Sequence, residues 1–101
     1  MQNYSIERVG KPDLAFEGEL IGQSPGPKPE IRIYRTKAGQ FIGQVAIDSI
    51  RSKADHFAKP ADLIAWIKAP TNSISLEAQG AIEAAAKTDE SIKAFWTERV
   101  E

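Results

Sequence analysis

The chain has 101 residues, with 13 basic and 14 acidic side chains and a formal net charge of −1. This length predicts one domain, residues 1–101, and the charge supplies no general attraction to nucleic acid or to an anionic membrane. The lack of cysteine excludes disulfides, thiolate zinc sites and cysteine nucleophiles. The sequence contains neither a secretory signal nor an apolar run of about 18 residues, so we expect a cytoplasmic protein without membrane spans.

Two strands are predicted at the start of the chain. Residues 4–9 alternate weakly and end at a Gly-Lys-Pro-Asp turn, whereas residues 14–22 alternate more clearly. Leu14, Phe16 and Leu20 fall on one side of the second strand. We expect these three side chains to join the apolar layer formed by the strands that follow.

After a loop with three prolines, residues 30–48 have the pattern of an antiparallel hairpin. A three-residue Lys-Ala-Gly loop, with Gly39 in the left-handed conformation, places Arg35 opposite Phe41. In this register one face of the hairpin is apolar and is predicted to face the core. It carries Ile31, Ile33, Phe41, Val45 and Ile47.

The opposite face of the hairpin is mixed in character. It carries Arg32, Tyr34, Ile42 and Gln44 together with other polar residues. We expect this face to be open to water or to a partner, and these four residues are candidate partner-binding residues.

The helical part of the chain is predicted to begin after a polar, aperiodic connection at residues 49–59. Pro60 suits the first turn of a helix, alanine-rich residues 75–87 favour a second helix, and Thr88 is a candidate cap for a third. The resulting fold class is α+β. It consists of a three- or four-stranded antiparallel β-meander followed by about three C-terminal helices packed on one sheet face.

The last predicted helix carries a narrow apolar stripe. Its members recur at helical spacing and are predicted to be buried: Ile92, Phe95, Trp96, Arg99 and Val100. Burial in the core is the simpler interpretation of the aromatic side chains. Trp96 is a further candidate partner-binding residue, because tryptophan is frequent at protein interfaces.

Few residues suggest catalysis. His56 is the one histidine, and it follows Asp55 close to Ser49, but no nucleophile elbow accompanies them. Glu17 and Glu19 are two residues apart, which also suits a solvated strand face. We assign no catalytic residue, cofactor-binding residue or metal ligand, and no motif identifies a family.

The sequence therefore favours a small intracellular, non-enzymatic protein-interaction or regulatory module, whose partner is another protein or a second copy of itself. The first alternative is a single-stranded nucleic-acid-binding protein that uses the exposed sheet face, with Tyr34 stacking on bases. The second and less favoured alternative is a small enzyme with a loop site near His56. No cofactor is expected.

Overall fold

The computed structural model of the protein describes residues 1–27, 30–46, 52–68 and 75–97. The predicted α+β class is confirmed, with strands first and helices after them, although the described residues contain five strands instead of three or four. None of the helices in these ranges is long and apolar enough to cross a membrane. The elements are β1 (Gln2–Arg8), β2 (Lys11–Gln23), β3 (Ile31–Thr36), β4 (Phe41–Ala46), β5 (Ser52–Phe57), α1 (Pro60–Lys68), α2 (Leu76–Thr88) and α3 (Glu90–Phe95).

The five strands close into a barrel in the order β1-β2-β3-β4-β5. Successive strands are antiparallel, and an odd number of such strands makes the closing pair, β1 with β5, parallel. The pairing between β1 and β5 that closes the barrel is short. Arg8 pairs with Ser52, and the Val9 N–H donates to the Ser52 carbonyl oxygen at 3.3 Å. We call this junction the seam.

The prediction that residues 49–59 form only a connection is wrong, because β5 lies within them. Ser52 and Ala54 face the barrel interior, whereas Lys53 and Asp55 lie on the other face. None of these side chains is large and apolar, so the alternation carries no hydrophobic signal. The strand is instead stabilised by antiparallel pairing with β4 along its whole length. Residues 47–51 lie outside the described residues.

The predicted hairpin is confirmed in β3 and β4. Gly39 has a φ of 86°, as the three-residue loop requires. Arg35 lies opposite Phe41 and Ile31 lies opposite Val45, which is the predicted register. The turn chemistry and the alternation of the two strands therefore agree on one arrangement.

The helices cover the outer face of the sheet, with α2 on β2 and β3 and α1 on β4 and β5. Of the predicted core face of the hairpin, Ile31, Ile33 and Phe41 are buried beneath them and Val45 is partly buried, whereas Ile47 lies outside the described residues. The buried side chains form one cluster, the helix-facing core: Ile21, Ile31, Ile33, Phe41, Leu63, Ile64, Ala78, Ala81, Ile82, Ala85 and Ile92.

A second cluster fills the barrel interior, to which every strand contributes. This barrel core consists of buried Ile6, Tyr34, Ile42 and Ala54, with Tyr4, Leu14 and Phe16 packed against them.

The expected placement of the β2 side chains in the layer of Ile31 is wrong. Leu14 and Phe16 lie in the barrel core, and Leu20 pairs with Tyr34 on the inward face. Alternation shows which residues share a face of a strand, but the pairing partner decides which face meets the helices.

The prediction of an open sheet face is also wrong. Tyr34 is 5% exposed and Ile42 is 2% exposed, because closure of the barrel turns this face inward. A flat meander would have left the same residues facing solvent. The candidate partner-binding residues of the hairpin must therefore be sought at an end of the barrel.

The third helix differs in detail from the prediction. Its N-cap is Asp89, whose side chain accepts the Ile92 N–H, and not Thr88. Ile92 and Trp96 pack against the helix-facing core, whereas Phe95 is 50% exposed. A helix of six residues contacts the core through a narrow strip and leaves Phe95 at its edge, so the expected burial of Phe95 is wrong. Residues 98–101 lie outside the described residues.

Candidate binding site at the barrel mouth

The barrel opens at one end into a pocket of about 460 Å³, which we call the barrel-mouth pocket. Three of the four candidate residues of the hairpin, Arg32, Tyr34 and Gln44, line it together, and the fourth, Ile42, lies in the barrel core. Its walls come from β1, β3, β4 and β5. The lining residues are Tyr4, Ser5, Ile6, Glu7, Arg32, Tyr34, Gln44 and Ser52.

A chain of hydrogen bonds crosses three strands in this pocket. The Tyr34 hydroxyl donates to Gln44 Oε1 at 2.8 Å, and Gln44 Nε2 donates to Ser52 Oγ at 2.9 Å. The chain therefore holds Gln44 in place between the Tyr34 and Ser52 hydroxyls.

Two aromatic rings of the barrel core pack against the ring of Tyr34. Its ring centroid lies 4.8 Å from that of Tyr4 and 5.2 Å from that of Phe16. Burial raises the pKa of Tyr34 above its usual value, while the nearby positive charge of Arg32 acts in the opposite direction. The neutral phenol is thus the form that the fold favours.

The pKa of Tyr34 predicts a loss of stability in alkali. A tyrosine whose pKa is higher in the folded state gives stabilisation that is complete below the unfolded-state pKa, about 10, and is lost as pH rises through the folded-state pKa. Tyr34→Phe removes this dependence and costs about 1 kcal/mol at neutral pH through the lost bond to Gln44. Urea unfolding from about pH 8 to about pH 11 should therefore show a shallower decline for the variant. Parallel declines would contradict the assignment.

Arg32 brings a positive charge to the pocket. Its side chain is half-buried, and within the described ranges the ion pairs are Lys11 with Asp55, Arg35 with Asp89, and Lys37 with Glu17. Arg32 takes part in none of them. A guanidinium has five N–H donors in a planar fork that matches a carboxylate. The described lining also includes the Glu7 carboxylate, so an anionic group would be recognised by the Arg32 fork itself and not by a net positive charge of the pocket.

The residues considered for catalysis do not come together in the described structure. The Asp55 carboxylate accepts the backbone N–H of His56 at 2.8 Å, and successive side chains of a strand point to opposite faces. The exposed His56 ring lies 3.3 Å from Gln40 Oε1. Ser49 lies outside the described residues, and no group of three metal-ligating side chains occurs among those described.

The nucleic-acid alternative required an exposed aromatic ring beside free basic side chains. The expected exposure of Tyr34 is wrong, so its ring offers no stacking surface for bases. Arg35 pairs with Asp89, and Lys37 Nζ lies 3.8 Å from Glu17 Oε2. Base stacking on Tyr34 is therefore excluded, whereas single-stranded nucleic-acid binding by other residues stays a prediction.

Sequence reasoning missed Ser52 and Tyr4 as pocket residues. Ser52 had no signal in the sequence, because only the pairing of β5 with β4 brings it beside Gln44. Tyr4 stood in a predicted strand, but its neighbours become visible only when β1 joins the barrel. Trp96 lies outside this pocket and is partly buried against the helix-facing core. Its role in partner binding stays a prediction.

The comparisons with known proteins give no family. No family model matches the chain, and no curated protein and no solved structure matches it. The function is therefore argued from the chemistry of the pocket itself.

Proposed function

We propose that the protein is a small intracellular, non-enzymatic module that binds another protein, and that an acidic side chain of the partner enters the barrel-mouth pocket. One observation carries this proposal. The half-buried Arg32 guanidinium faces a pocket in which Gln44 and Ser52 are already held by hydrogen bonds. A partner carboxylate would accept from the Arg32 guanidinium, and such charge-assisted bonds are the stronger ones in proteins.

An exposed apolar side chain on the strand next to Tyr34 favours a protein partner. Leu20 pairs with Tyr34 on the inward face of β2 and is 40% exposed, because the pairing of β1 with β2 extends only to Gly18. An exposed apolar side chain paired with a tyrosine, close to a pocket that holds an arginine, is a composition typical of interface centres. The expected ligand is thus a segment with an apolar residue close to an aspartate or glutamate.

Peptide selection against the immobilised protein tests the proposal. Peptides from a random displayed library should be enriched in an acidic residue next to a leucine-like residue. For a selected peptide, Arg32→Gln should raise Kd about tenfold or more, because a buried charge-assisted pair is lost. The matched control is Lys37→Gln, which removes the same charge from the exposed hairpin loop and should leave Kd within about twofold.

The same peptide with its acid changed to the amide should bind the wild-type protein as weakly as the parent peptide binds Arg32→Gln. Equal affinity of the wild type and Arg32→Gln would overturn the proposal. Nuclear magnetic resonance shifts centred on Trp96 instead of Gln44 would overturn it as well and favour a surface on the helices. Sedimentation of the protein alone decides whether a second copy occupies the pocket.

A further inference from the structure

A second pocket lies at the seam, on the outer side of the barrel. It has a volume of about 320 Å³ and is bordered by residues that include Arg8, Lys11, Lys53, Asp55 and Trp66. Ser52 borders both this seam pocket and the barrel-mouth pocket. Apart from Ser52, none of the described residues that line the barrel-mouth pocket borders the seam pocket.

The floor of the seam pocket is aromatic and firmly held. The Trp66 indole packs so closely over β4 that a Cβ added at Gly43 would lie 2.7 Å from Trp66 Cζ3. The Phe57 ring lies 5.5 Å from the indole between centroids. Lys53 Nζ lies 5.6 Å from the centre of the indole ring. The Lys53 ammonium thus lies over the flat indole surface, and a ligand ring that packs there displaces it toward the ligand's own charge.

The charges around this floor are predominantly positive. Among the described residues that border the pocket, Arg8, Lys11 and Lys53 stand against one carboxylate, that of Asp55, which gives these residues a net charge of +2 on a chain whose formal net charge is −1. Lys11 Nζ lies 3.9 Å from Asp55 Oδ2, and both side chains are solvated. Such a concentration of cations in a concave site attracts anions.

The edge of β5 in this pocket is unsuited to an added strand. Arg8 Nη1 donates to the Ala54 carbonyl oxygen at 3.3 Å, while Arg8 Nε donates to the Pro12 carbonyl oxygen at 2.8 Å. The His56 N–H is taken by the Asp55 carboxylate. Because side chains occupy these backbone groups, the pocket favours a compact ligand over an extended peptide.

We propose that the seam pocket binds a small aromatic carboxylate. The ring lies against the Trp66 indole, and the carboxylate lies among Lys53, Lys11 and the remaining N–H donors of Arg8. The volume is at the lower end of the range for ligand pockets, which suits a molecule of one or two rings. The proposal stands independently of the barrel-mouth site.

The test is a titration with 1-naphthoate followed by nuclear magnetic resonance of the two tryptophan indole N–H groups. The Trp66 signal should shift and saturate, whereas the Trp96 signal, assigned with Trp96→Phe, should not follow it. Lys53→Gln should raise Kd about threefold, and Lys11→Gln combined with Lys53→Gln about tenfold. Both lysines are exposed, so these variants should fold.

Two controls define the ligand class and separate the sites. 1-Naphthamide, which has the same rings without the charge, should bind at least about tenfold more weakly. Arg32→Gln, which tests the barrel mouth, should leave the Kd for 1-naphthoate unchanged. A shift that does not saturate, equal shifts at both indoles, or an unchanged Kd in the double lysine variant would each overturn the proposal.

Discussion

Replacement of Gly22 by alanine is expected to lower the free energy of unfolding by about 3 kcal/mol, which is a large part of the stability of a domain of this size. Gly22 lies in β2 directly against the backbone of α2. A Cβ at this position would lie 2.4 Å from the carbonyl oxygen of Ala81 and 2.6 Å from the backbone nitrogen of Ala85. Backbone atoms cannot rotate away as side-chain ends do, so the strand and the helix must separate.

The close approach is reinforced beside Gly22. A β-bulge lies between Leu20 and Gly22, and the Thr88 hydroxyl donates to the Ile21 carbonyl oxygen at 3.0 Å. Moving α2 away would break this bond and open the helix-facing core around Ile21. The loss should therefore exceed the usual effect of a single added methyl group.

Urea unfolding followed by tryptophan fluorescence measures the effect, with Gly39→Ala as the matched control. A Cβ at Gly39 meets nothing within 4 Å, so its cost is confined to the left-handed backbone and amounts to about 1 kcal/mol. Equal losses for the two variants would show that β2 and α2 do not constrain each other in this way.

The elements that sequence reasoning predicted well are those specified by neighbouring residues. The hairpin register follows from a glycine that adopts a positive φ and from alternation on both sides of the loop. Pro60 at the start of α1 follows from the fixed φ of proline, and alanine content identified α2. In each case a local preference agrees with the packing.

The errors have one physical origin, which is pairing between distant segments. Residues 52–57 form a strand because they pair with β4 along their whole length, although Ser52 and Ala54 have no strand preference that the sequence pattern reveals. The contact of Arg8 with Ser52 then closed the sheet and turned Tyr34 inward. Neither contact can be deduced from the composition of the segments involved.

In the candidate site, too, local sequence specified some features and pairing between distant segments specified the others. Alternation correctly placed Arg32, Tyr34 and Gln44 on one face, and all three line the barrel-mouth pocket. It could not show that this face is concave, or that Ser52 would accept a hydrogen bond from Gln44. The residue set was therefore largely predictable, whereas the shape of the surface that it forms depended on the closure of the barrel.

Replacement of Asp89 by alanine is expected to lower the free energy of unfolding by about 2 kcal/mol. The Asp89 side chain is 1% exposed and serves two partners. Its Oδ1 accepts the Ile92 N–H at 3.0 Å as the cap of α3, and its Oδ2 pairs with Arg35 Nη1 on β3. The Arg35 side chain is 40% exposed, so the charge left behind reaches water and the loss stays below that of a fully buried pair.

Asp89→Asn separates the two contributions. Asparagine caps helices about as well as aspartate, so this variant should lose only the charge of the ion pair and cost about 1 kcal/mol. Glu90→Ala, which removes the exposed acid at the next position, should cost less than about 0.5 kcal/mol. In urea unfolding, Asp89→Ala should show the largest loss, Asp89→Asn an intermediate loss and Glu90→Ala the smallest. Equal losses for the two substitutions of Asp89 would mean that the cap of α3 contributes nothing beyond the ion pair with Arg35. An Asp89→Asn variant as stable as the wild type would mean instead that the ion pair contributes nothing.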